Sequence, residues 1–139
     1  MRNVIILLLN IIFLSSCSDK VEIDGKWDDN IKLSKKDIEF TAGADSTVVT
    51  TEGDWWWITE ISLADSCYCY CNSEDVNLES DSYIIKEDCF VVEKLDNKTI
   101  FIKMYENLTG NERIMIIGLQ AGDYFDYIKV KQLAIDISL

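Results

Sequence analysis

Thr99-Ile100-Phe101-Ile102-Lys103-Met104-Tyr105 is the stretch whose reading decides the fold class. Ile100, Ile102 and Met104 recur at every second position, and side chains alternate between the two faces of a strand. This spacing predicts a half-buried strand with one apolar face. Downstream, Asn107 to Asn111 contains Gly110 and reads as a hairpin loop before a second apolar run, Arg113 to Leu119. Gln120 to Asp123 is a turn, and Phe125 to Leu133 sets Ile128 and Val130 against Lys129 and Lys131. Upstream, Cys89 to Val92, Tyr83 to Ile85, Trp55 to Ile61, Ser46 to Thr51, Ile38-Phe40 and Ile31-Leu33 are further short apolar or β-branched pieces. Helical spacing is hard to find. Seven to eight short strands at regular intervals predict an all-β sandwich over 31–135. The chain contains no proline, so its edge strands rely on charge, such as Lys129 and Lys131, to resist mis-pairing.

A length of 139 residues allows one domain of this kind. Thirteen basic residues against 25 acidic ones give a net charge of -12, which repels a phosphate backbone, so no nucleic-acid partner is expected. Histidine is absent, which removes the commonest general base and the commonest metal ligand. No cofactor and no catalytic residue are expected. A pair of acids picked from 25 means nothing without geometry.

The amino terminus carries an address. Arg2 precedes an apolar run from Val4 to Leu14, broken only by Asn10, which is too short to span a bilayer. It fits the apolar region of an export signal. Leu14-Ser15-Ser16-Cys17 resembles the bacterial lipobox, which implies cleavage after residue 16 and acylation of Cys17. Two or more acyl chains give lasting attachment to a membrane where one does not. Residues 1–16 are then a lipoprotein signal peptide, and 17–30 form a polar tether to the sandwich. Loss of Arg2 takes the net charge to -13. The expected location is the bacterial cell envelope, at the outer membrane, with the lipid as the membrane contact.

The order of features resembles the BACON domain, an immunoglobulin-like sandwich of Bacteroidetes surface lipoproteins and glycan-degrading enzymes. Ile31-Lys32-Leu33-Ser34 with Ile38-Glu39-Phe40 resembles its opening strands, and Glu52-Gly53-Asp54-Trp55-Trp56-Trp57-Ile58 its tryptophan segment. Asn111-Glu112-Arg113 and Ala121-Gly122-Asp123-Tyr124-Phe125-Asp126 resemble its hairpin entry and closing turn. The cysteine-rich middle, 66–89, departs from the pattern and reads as an insertion. The resemblance implies an immunoglobulin-like topology. It also implies one of two roles, a module that binds glycan or an envelope protein, or a spacer with no ligand of its own.

Flat indoles stack on the apolar faces of sugar rings. Strict alternation puts Trp55, Trp57, Thr59 and Ile61 on one face of their strand and Trp56, Ile58, Glu60 and Ser62 on the other. Glu60 marks the second face as the wetter one. Trp56 is therefore the expected exposed platform, joined by Tyr124, Phe125 or Tyr127 from the closing turn. The competing reading places these indoles in the core.

Four cysteines remain after Cys17: Cys67, Cys69, Cys71 and Cys89. An even number in an exported domain suggests disulfides, with three possible connectivities. Bridges between cysteines two apart in a strand are geometrically poor. Pairing of Cys67 with Cys71 and Cys69 with Cys89 is favoured if 67–71 form a turn. The Cys-x-Cys-x-Cys spacing does not suit zinc. The acidic run 74–81 lacks the spacing of calcium loops, and Asn107-Leu108-Thr109 matches a glycosylation triplet. Mass mapping of the mature protein without reduction is expected to find an amino-terminal peptide starting at acylated Cys17. An unmodified terminus elsewhere would refute the lipobox.

Overall fold

The computed structural model describes residues 27–63, 66–69 and 76–136, with the backbone alone for 66–69. The signal segment, Cys17, most of the tether and Cys71 lie outside the described residues. Nine strands are present among the described residues: β1 Asp37–Phe40, β2 Asp45–Thr50, β3 Trp57–Leu63, β4 Ser66–Cys69, β5 Tyr83–Lys86, β6 Phe90–Asp96, β7 Thr99–Met104, β8 Arg113–Ala121 and β9 Tyr124–Gln132. They form a five-stranded sheet in the order β1-β9-β8-β3-β4 and a four-stranded sheet in the order β2-β7-β6-β5. The chain is an all-β sandwich, as its period-two spacing predicts, and is immunoglobulin-like, as the resemblance implies. Every strand pair is antiparallel except β1 with β9.

The core lies between the sheets and follows the alternation read from β7. Ile100, Ile102 and Met104 are buried, as are Phe90 and Val92 on β6 and Met115, Ile117 and Leu119 on β8. Full burial of each such side chain contributes about 1.5–3 kcal/mol before conformational entropy is set against it. Two expectations need correction. Ile31-Lys32-Leu33 forms no strand; Leu33 makes an isolated bridge to Thr51, and Asp29 caps the segment by accepting the Ile31 and Lys32 amides. Residues 66–69 are strand β4 at the sheet edge, not part of a turn, so the condition for a Cys67–Cys71 pairing is not met.

Polar ties hold the loops. Asn107 is buried, donating its amide to the carbonyls of Asn111 and Leu133 and accepting from the Thr109 amide and hydroxyl. The triplet read as a glycosylation motif is thus a structural corner, with no free amide nitrogen.

Gly53 shows why the break before the tryptophans must be glycine. Its amide donates to the Ile31 carbonyl, and a Cβ there would overlap the carbonyl oxygen of Asn30. Gly53→Ala is therefore expected to destabilise by about 1–3 kcal/mol through forced backbone movement, read as a lowered urea midpoint. An unchanged midpoint would show that residues 30–31 yield freely.

Candidate functional site

The tryptophan segment does not alternate as a regular strand would. Ile58 pairs with Leu119, but the next pair is Glu60 with Gly118, so Thr59 is an extra residue in β3. Such a bulge flips the faces beyond it. Ile58, Ile61 and Leu63 consequently all point into the core. Glu60 is thrown to the outer face, opposite Gly118, where a Cβ would press on Thr59 Oγ1 at 2.8 Å.

This bulge overturns the expected role of Trp56. Trp56 shares the inward face with Ile58, is 2% exposed, and donates its indole N–H to Thr51 Oγ1 at 3.0 Å. Glu60 marked the wrong face, because the bulge separates it from Ile58. The exposed indole is Trp55, at 68%, packed edge-on against Trp57 with ring centroids 5.5 Å apart. Trp55 also lies over Gly122, the first residue of the β8–β9 turn, with a φ of 60°.

Of the three closing-turn aromatics, two remain available. Phe125 is 64% exposed and Tyr127 54%. Tyr124 packs against the core and donates its hydroxyl to Asp126, which is buried and ion-paired with Lys36 at 2.7 Å. The Asp126 carboxylate holds the Lys36 ammonium above the usual lysine range. Trp57, Gln120 and Phe125 stand in register across β3, β8 and β9, about 10 Å from first to last. Tyr127 follows opposite Gly118, which offers no side chain to cover it. The result is one strip of exposed aromatic surface from Trp55 and Trp57 to Phe125 and Tyr127.

Beside the strip opens a cavity of about 630 Å³, lined by Trp55, Trp56, Trp57, Leu78, Asp54, Glu79, Asp81, Asn97 and Lys94. Lys94 is the group that sequence reasoning missed. Phe90, Val92 and Lys94 are spaced by two, so the lysine shares their inward face, and it is 4% exposed. Its ammonium donates to the carbonyls of Trp56 at 3.2 Å and Ser80 at 3.3 Å. It also lies 4.7 Å from the centre of the Trp56 ring and 5.8 Å from that of Tyr83. Among the described residues no carboxylate forms an ion pair with it. Burial pushes this ammonium below the ordinary lysine range, with Asp81 acting in the opposite sense.

Cys89 is a free, half-buried thiol packed against the core. The expected Cys69–Cys89 pairing rests on a side chain that lies outside the described residues. Cys71 and the side chains of Cys67 and Cys69 lie outside the described residues. Among the described residues there is no cluster that could hold a metal, and no helix long and apolar enough to cross a membrane.

No family model matches the sequence, and the search of curated proteins finds no match. Among solved structures, the chain is similar to a protein from Bacteroides thetaiotaomicron determined by NMR, with a TM-score of 0.59 and 19% identity over 78% of this chain and 91% of that one. A Bacteroides ovatus GH5 xyloglucanase in complex with a XXXG heptasaccharide gives 0.46 and 20%, over 78% of this chain and 20% of that one. An endo-fucoidan hydrolase of glycoside hydrolase family 107 gives 0.44 and 12%, over 77% and 14%. The first of these likenesses supports the sandwich fold, and nothing further rests on the other two.

Lys94 also sets a pH dependence. It loses its proton more readily folded than unfolded, so its contribution to stability rises with pH between its depressed value and the ordinary 10.5. Lys36 and Tyr83 are shifted upward, by the Asp126 hydrogen bond and by burial respectively, and lose stability as pH rises past 10. Comparison with Lys94→Met cancels those two. The margin of wild type over the variant is expected to widen from neutral pH to 10.5 in chemical denaturation. A constant margin would mean that Lys94 is solvated.

Proposed function

We propose that this chain is a lipid-anchored, non-catalytic binding module of the bacterial cell envelope, and that its ligand is a glycan. The observation that carries this reading is the aromatic strip of Trp55, Trp57, Phe125 and Tyr127. Soluble domains seldom leave this much aromatic surface side by side without a partner. Neighbouring Gln120, Asp54, Asp81 and Asn97 supply the hydrogen-bonding groups that a sugar's hydroxyls require. Indole and phenyl faces supply the stacking. The lipobox at Cys17 supplies the anchor, to the outer membrane. The Gly53-Asp54-Trp55-Trp56-Trp57-Ile58 and Asn111-Glu112-Arg113 segments support a BACON-like affiliation. The absence of histidine supports recognition rather than catalysis.

The test is binding of the mature protein to immobilised neutral and acidic polysaccharides, compared with a Trp55→Ala/Phe125→Ala variant. Both side chains are mostly exposed, so the variant is expected to keep its melting temperature within a few degrees. Affinity is expected to fall at least about 10-fold, since each aromatic contact contributes about 0.5–1.5 kcal/mol beyond its buried area. Wild-type affinity in a folded variant would remove the strip from the site.

A further inference from the structure

We infer that the cavity beside the strip takes an uncharged sugar residue and that the protein thereby selects neutral glycans over chains bearing carboxylate or sulfate. This inference rests on the glycan-binding reading above and adds the chemical class of the ligand.

The cavity presents both signs of charge in separate places. At its inner end, Lys94 is 4% exposed, with two backbone carbonyls as its hydrogen-bond acceptors. An ammonium has three N–H donors, and those carbonyls take two of them. At the rim, Asp54, Glu79 and Asp81 bring three carboxylates against that single cation. Between them lie the three indoles, Leu78 and Asn97.

An anionic ligand meets three carboxylates and the field of a chain at -12. A cationic ligand gains from the rim but must approach the buried ammonium at the inner end. A hydroxyl group escapes both penalties, because it donates to a carboxylate and accepts from an ammonium. A neutral sugar carries several such groups around an apolar ring face suited to Trp55 or Trp57. The volume, about 630 Å³, lies in the range of small-molecule sites. A sugar residue in the cavity would continue onto the strip through Trp57, which belongs to both.

The experiment is affinity electrophoresis of the mature chain at low salt through neutral β-glucan, xylan and mannan, and through polygalacturonate and a sulfated galactan. Wild type is expected to bind at least one neutral polymer at least 10-fold more tightly than either anionic polymer. Asp81→Asn and Glu79→Gln alter exposed rim groups and are expected to keep the fold, checked by melting temperature. Each is expected to weaken neutral binding several-fold, through the lost charged acceptor, and to narrow the gap to the anionic polymers. Anionic polymers bound as tightly as neutral ones would overturn the selectivity and leave the glycan-binding reading standing. Neutral binding insensitive to both rim variants but lost with Trp55→Ala/Phe125→Ala would confine the ligand to the strip and overturn the cavity. Binding of neither class would overturn the glycan-binding reading itself.

Discussion

One extra residue in β3 decides what this sandwich shows to solvent. A regular strand from Trp55 to Leu63 would leave Ile58 and Ile61 on opposite faces. Thr59 interrupts the pairing with β8, and both isoleucines reach the core. The core thereby gains an unbroken row on β3, and Trp56 joins it ahead of the bulge. The same step leaves Trp55 outside and Glu60 opposite Gly118. A side chain at Gly118 would crowd Thr59 and Glu60, so the bulge and the glycine depend on each other.

Polar groups inside the sandwich serve as fixings between elements that apolar packing cannot orient. Gln132 donates to the carbonyls of Gly43 and Tyr105 at 3.1 and 3.0 Å, tying β9 to the β1–β2 connection and to the chain leaving β7. Asn107 performs the same task for the loop entering β8. Lys94 ties the 78–82 segment to the start of β3 through Ser80 and Trp56. Each neutral bond contributes only about 1 kcal/mol net, but a buried group left without a partner costs about 1–3 kcal/mol. These residues therefore constrain geometry more than they add to stability. Lys94 is the most consequential of them, since it places a positive charge at the inner end of a cavity rimmed by acids.

The strip and the cavity meet at the tryptophan segment, and the local chemistry there divides cleanly. Trp56 is committed to the core and to Thr51. Trp55 touches Trp57 and the turn at Gly122 and lines the cavity. Trp57, half-buried, borders both surfaces.

Most of the architecture was legible in the sequence, because period-two spacing in β6 to β9 reports directly which face each residue takes. The turn at 122–123 was legible for the same local reason, as was the exposure of Phe125 and Tyr127 between the inward Asp126 and Ile128. Lys94 was legible too, by its spacing from Phe90 and Val92, but local periodicity gives no reason to expect a charge on an apolar row. The faces of Trp55, Trp56 and Trp57 were not legible. Alternation holds only while every residue has a partner across the ladder, and the unpaired Thr59 is a property of the β3–β8 pairing, between segments about 60 residues apart. The sequence alone determined a β-sandwich and its inward rows, because those follow from local periodicity. The tertiary structure alone decided which indole meets solvent and that a buried ammonium sits beside it, because both depend on how distant strands register.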